Sequence, residues 1–140
     1  MINLDFLCMK TSQDMVEGKG LAKDKENVAT KGLGVLQENG PYGLMLYLQT
    51  TKSDVAKEYL KELVGLCREE HVAIYLGKPA PPGKDHKEIA AWLRELAQEL
   101  DRYLFVKSLW EQTLTYTRYH AKALDDGGRI GAPEVQEEAE

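Results

Sequence analysis

Between Val35 and Leu48, VLQENGPYGLMLYL, a helix stop and a helix start stand side by side, and this constrains the fold more than any other stretch. Asn39 and Gly40 tolerate the left-handed conformation that ends a helix, and Pro41 is preset for the first turn of the next one. Two apolar pieces joined in this way form the corner of a helical hairpin. The corner carries no group able to do chemistry, so it speaks for packing. After it, Tyr42 to Gln49 is apolar on nearly every side, the pattern of a helix buried all round at the centre of a core.

The remaining segments read as further helices. A short one is expected around Asp5 to Glu17, stopped by Gly18 and Gly20, although residues 1–20 are the least decided part of the chain. Leu21, Val28, Val35 and Leu36 return near helical spacing, and Gly32 and Gly34 in the same helix allow close helix contact. Ser53 is a good N-cap for a helix reaching about Glu70, whose apolar face is Val55, Tyr59, Leu60, Leu63, Val64 and Cys67, opposite Lys57, Lys61 and Glu62. LGKPAPPGK, residues 76–84, cannot continue a helix or join a sheet interior and reads as a loop. Val72 to Leu76 has the composition of a short strand but no partner.

Asp85 and Glu88 have capping-box spacing, and Ile89, Trp92, Leu93, Leu96 and Leu100 follow as a stripe. A second stripe runs through Val106, Trp110, Leu114, Thr117, Ala121 and Leu124. One helix from Asp85 to Leu124 would be about 60 Å long, too long for a domain of this size, so a break is expected near Asp101 to Phe105. Gly127 and Gly128 are expected to end the last helix. The reading is an all-α, single-domain bundle of about five to six helices over residues 1–126, with 127–140 as a flexible, disordered acidic tail.

Charge placement matters more here than total charge. The net −5 lies entirely from Asp125 onward, where six acids (Asp125, Asp126, Glu134, Glu137, Glu138 and Glu140) stand against one base, Arg129; of 23 acids and 18 bases, 17 of each remain in residues 1–124. A neutral body accepts a partner of either sign through local patches. No run is long enough to span a bilayer, and Met1 to Met9 lacks the basic lead of a secretory signal. Cys8 and Cys67, far apart in sequence, do not make a disulfide framework, so the expected setting is reducing and cytoplasmic.

No catalytic constellation is evident. Cys67 and His71 lie four apart, half of a metal site, but Cys8, His86 and His120 have no paired spacing; neither metal nor cofactor is expected, and Cys67 reads as a small core hydrophobe. Glu95, Glu99 and Asp101 read as solvated acids opposite the Trp92 stripe, and the glycines at 32, 34, 40 and 43 lack the strand and the Gly-Lys-Ser/Thr ending of a phosphate loop. The candidate binding residues are Lys107, Arg118 and Lys122. They fall within about 60° on a helical wheel, with Thr115 beside them and Glu111 in the same strip. Such a row contacts phosphates without reading bases; the plain reading is a solvated helix face. Lys19, Lys23, Lys25 and Lys31, mixed with Asp24 and Glu26, form a weaker grouping.

LGVLQENGPYGLMLYLQTTK resembles the helix, turn and buried helix of the small α-helical subunit of the type III-B CRISPR effector, the Cmr RNA-silencing complex. YLFVKSLWEQTLTYTRYHAKAL, from Tyr103 to Leu124, is similar to that family's last helix, and IAAWLREL to its short Trp-Leu-Arg helix. Residues 1–20 depart from the long opening helix of the family, and Lys84 to Tyr103 is compact against its pattern. The resemblance implies a non-catalytic subunit in antiviral defence that stacks in copies along the complex and helps hold guide and target RNA, with other effector subunits as partners. Lys107, Arg118 and Lys122 come from wheel geometry, not from a family motif. The alternative is a helical protein–protein adaptor or regulator that does not touch RNA. A helix-turn-helix DNA binder fits less well, because Tyr42 to Leu48 is too apolar for a groove, and a small enzyme fits least.

Overall fold

A computed structural model describes residues 3–83 and 85–130, with side chains through residue 125. These residues form six helices and no strand: α1 (Leu4–Glu17), α2 (Ala22–Thr50), α3 (Asp54–Leu66), α4 (Glu70–Leu76), α5 (His86–Leu96) and α6 (Leu100–Ile130). The fold is an all-α bundle built around α6. None of these helices is long and apolar enough to cross a membrane.

The corner forms within α2. Gly40 has φ 78° and ψ −176°, non-helical values that break the helix into two limbs, residues 22–39 and 41–50. Residues 32 and 44 of an unbroken helix would stand about 18 Å apart along its axis. Here a Cβ on Gly32 would lie 3.3 Å from Leu44 Cδ1 and 3.9 Å from Tyr47 Cε2, so the limbs fold back onto each other. The Tyr42 N–H, orphaned at the start of the second limb, donates to the Tyr103 hydroxyl at 3.0 Å. Of the two glycines expected to permit close packing, Gly32 is buried between the limbs and α6, whereas Gly34 faces open space.

Three elements wrap α6. On one side α1 runs parallel to it: the Cys8 thiol donates to Leu109 O at 3.6 Å and the Thr117 hydroxyl meets Met15 Sδ at 3.7 Å. The buried face of α1, Cys8, Thr11, Ser12, Met15 and Val16, has the spacing of one helical stripe. On the other side the first limb of α2 runs antiparallel, Gly32 opposite Leu114 and Gln37 opposite Lys107. Between them α3 supplies Tyr59, Leu63 and Val64. Thr113 and Thr117 are fully buried in this seam and return their hydroxyls to carbonyls four residues back, both at 2.8 Å.

Lys25 does structural work. It is only 6% exposed, and its Nζ donates to Val16 O at 2.6 Å and Gly18 O at 2.5 Å, carbonyls that the end of α1 leaves without helical partners. A charged donor sealing a helix C-terminus joins α1 to α2, and Lys25 therefore leaves the basic grouping expected from sequence. Lys25→Met keeps the stem and removes the ammonium. It is expected to lower unfolding stability by about 1–2 kcal/mol and to raise amide exchange at the C-terminal turn of α1; wild-type exchange there would remove this role.

Several boundaries differ from the sequence expectations. Val72 to Leu76 is helix, because Glu69 caps it with its carboxylate on the His71 and Val72 N–H groups (2.7 and 3.0 Å) and Gly77, at φ 74°, stops it. Consequently α3 ends at Leu66 rather than near Glu70. The break between the last two helices is at residues 97–99, not 101–105, and leaves Leu100 65% exposed at the start of α6 instead of on the α5 stripe. Leu124 is likewise exposed, past the end of its stripe. Helix α6 continues through Gly127 and Gly128 to Ile130, and the rest of the expected acidic tail, 131–140, lies outside the described residues. The loop after Gly77 is as expected and is pinned by Arg68 to Pro81 O (2.7 Å) and by the Trp92 indole to Lys78 O (3.2 Å).

The second limb of α2 is not buried all round. Leu44, Met45 and Leu48 enter the core, but Tyr42 and Leu46, one turn apart, are each 43% exposed. They mark a face that α5 and α6 leave uncovered.

Candidate functional site

Lys107, Arg118 and Lys122 share one flank of α6, adjoining Leu114 and hence beside the first limb of α2. Over the 15 residues from first to last, the row is about 22 Å long. The three side chains are held differently. Lys107 is half-buried and its Nζ reaches Gln37 O at 3.5 Å, fastening the row to the end of the first limb. Arg118 lies with its guanidinium carbon 5.8 Å from the centre of the Tyr119 ring, and Lys122 is exposed. Glu111 interrupts the row as expected, and the Thr115 hydroxyl is turned inward onto Glu111 O at 2.7 Å, so it adds no donor to the surface. Lys19, Lys23 and Lys31 are exposed, with Lys23 and Lys31 about 80° apart around α2.

A second feature was not legible from composition. An open groove of about 490 Å³ runs between the second limb of α2, α5 and the start of α6, with Tyr42 and Tyr103 as walls, Ala90 and Ala97 on the floor and Lys87 and Arg94 at the rim. The apolar run around Tyr42 predicts a buried side chain, whereas it is 43% exposed. The signal that could have placed it outside is its spacing from Leu46, since a turn-spaced pair defines a face separate from Leu44, Met45 and Leu48.

The chemistry-bearing residues do not converge. Cys67 is fully buried at the end of α3, whereas His71 sits exposed on α4, its Nδ1 3.1 Å from Glu69 Oε2. Among the described residues, no group of three or more His, Cys, Asp or Glu is placed to hold a metal ion. Glu95 and Glu99 are surface acids paired with Lys78 and Arg102 respectively. No protein-family model, curated protein or solved structure matches this chain.

The buried thiols are set against reactivity. Burial pushes the Cys67 thiol up to about 12 and raises Cys8 and the Tyr59 phenol as well. These groups keep their protons in the folded chain while the unfolded chain releases them near pH 8.5–10. The Cys67 contribution to stability is thus complete below about pH 8.5 and is lost as pH rises toward 12, by about 1.4 kcal/mol per pH unit at the steepest, and Cys8 and Tyr59 add losses of the same sign. Thermal unfolding followed from pH 8 to 11 should show a steep fall in Tm, shallower in Cys67→Ala, and both thiols should resist alkylation until the protein unfolds. Prompt labelling of the native protein would contradict the burial.

Proposed function

We propose that this protein is a non-catalytic small subunit of an RNA-guided effector complex of the type III-B CRISPR class, acting in antiviral defence. The flank formed by Lys107, Arg118 and Lys122 would face the phosphates of guide or target RNA. The observation that carries the reading is the placement of these three cations along one flank of the longest helix, next to the hairpin whose sequence resembles the corresponding part of that family. A row of this kind suits RNA of any sequence, because point charges on phosphates carry no base information. Other faces would meet copies of the chain and neighbouring subunits.

The test is a charge reversal at the three positions. Lys107→Glu/Arg118→Glu/Lys122→Glu is expected to weaken binding of guide–target duplex by about tenfold or more at moderate salt, while wild-type binding falls steeply as salt rises. Unchanged RNA retention in the triple variant would remove the proposal.

The groove with its exposed Tyr42 favours a second reading, a helical adaptor that binds protein alone. Under that reading the triple reversal leaves function intact, and Tyr42→Ala abolishes capture of a partner in a salt-insensitive way.

A further inference from the structure

Against the second limb of α2, at the N-terminal turn of α5 and on a different face from the tyrosine groove, lies a small, more enclosed cavity of about 80 Å³. We propose that it binds a tetrahedral oxyanion, a phosphate group. Its polar lining consists of Gln49, Lys57, Lys61 and His86, over an apolar floor of leucine and isoleucine. The Gln49 amide nitrogen is buried and has no hydrogen-bond partner among the described residues. A buried donor without an acceptor costs about 1–3 kcal/mol, so an orphan of this kind points to an acceptor that completes the site.

The neighbours state what sort of acceptor. Lys57 and Lys61, one turn apart on α3, line the cavity from one side and His86, the first residue of α5, from another, all three at its exposed mouth. None of the described lining residues is an acid. Of the nearby carboxylates, Asp85 Oδ1 accepts the Lys87 N–H at 2.9 Å, while Glu58 pairs with Lys61 itself at 3.7 Å, an exposed contact that contributes little to stability and yields readily to a ligand. Two ammonium groups, an imidazole and an amide N–H present donors and positive charge. A ligand with acceptor oxygens on several sides satisfies them together, whereas a metal cation is repelled. The volume is several times what a single water needs. Gln49, Lys57, Lys61 and His86 come from three separate elements, so no local sequence pattern announces the site, and it is independent of the row on α6.

The Gln49 side-chain NH₂ signals in a ¹⁵N spectrum provide a direct readout. Titration with inorganic phosphate, at ionic strength held constant with chloride, is expected to shift them saturably. Lys57→Met/Lys61→Met, which keeps both aliphatic stems, should weaken that binding by about tenfold or more, and Gln49→Leu, followed on the backbone amides of Lys57, Lys61 and His86, should weaken it while leaving the backbone spectrum folded. A short RNA with and without a 5′-phosphate separates the sources. A shift with both oligonucleotides assigns the cavity to backbone phosphodiesters, and a shift only with the phosphorylated one assigns it to a terminal or free phosphate. Gln49 signals that respond to neither phosphate nor RNA, that respond equally to chloride, or that respond undiminished in the lysine variant would overturn the assignment.

Discussion

Trp110→Ala is expected to lower unfolding stability by about 4–6 kcal/mol, enough to leave a domain of this size largely unfolded at physiological temperature. Trp110 is fully buried at the centre of α6, and its indole N–H donates to Leu63 O at 3.0 Å. That carbonyl is available because the last turn of α3 tightens: the Cys67 N–H goes to Val64 O at 3.0 Å instead of reaching back to Leu63, and the Arg68 N–H goes to Gly65 O. The indole therefore fills the central space between α3 and α6 and satisfies a backbone group that the helix itself leaves open. Truncation loses both, a large apolar volume and the only partner seen for a buried carbonyl among the described residues. Trp110→Phe separates the two effects. It retains most of the volume and orphans the carbonyl, so a loss of about 1–3 kcal/mol is expected. Urea unfolding followed by far-UV circular dichroism reads both, with the m-value checked for constancy. A Phe variant as damaged as the Ala variant would assign the effect to the hydrogen bond, and an undamaged one would assign it wholly to packing.

The parts of the fold legible in the sequence are those where local signals and burial agree. Ile89, Trp92, Leu93 and Leu96 repeat at helical spacing behind the Asp85 cap and are all buried, and Ser53 accepts the Val55 and Ala56 N–H groups as its position predicts. The parts that escaped depend on partners remote in the chain. Val72 to Leu76 looks like a strand by its β-branched content, but the carboxylate of Glu69 and the left-handed Gly77 make a seven-residue helix that packs Val72 and Leu76 inward. Lys25 reads as a surface charge because nothing local shows that the end of α1 will lie over it. At the candidate site the helical wheel places Lys107, Arg118 and Lys122 on one flank of α6. It could not show that Lys107 would be tied to Gln37 O, since that contact spans 70 residues. The oxyanion cavity is a still clearer case: Lys57 and Lys61 stay exposed, as their place opposite the apolar face of α3 predicts, and it is the return of α5 past α3 that brings His86 and Gln49 beside them.

Gly40→Ala is expected to cost about 2–3 kcal/mol although there is room for the added methyl group. A Cβ there would lie 3.6 Å from the Tyr103 hydroxyl, ordinary contact, so the penalty is one of backbone conformation. The sequence predicts a left-handed residue at this corner, and φ is positive as that requires. However, ψ of −176° puts Gly40 in the region at positive φ and extended ψ that is essentially confined to glycine. This distinction gives the prediction a sharper form. In an ordinary left-handed helix cap Asn is well tolerated, so Gly40→Asn would recover much of the loss seen with Ala. At ψ −176° it should not, and Gly40→Asn is expected to be as destabilising as Gly40→Ala. Relaxation of either variant toward left-handed values would swing the second limb away from the first, separating Leu44 from Gly32 and the Tyr42 N–H from the Tyr103 hydroxyl. Amide exchange of Tyr42 would then rise in both variants along with the fall in global stability. Recovery of stability in Gly40→Asn, with Tyr42 still protected, would show that the corner accepts a left-handed residue and that the reversal does not depend on the conformation of Gly40.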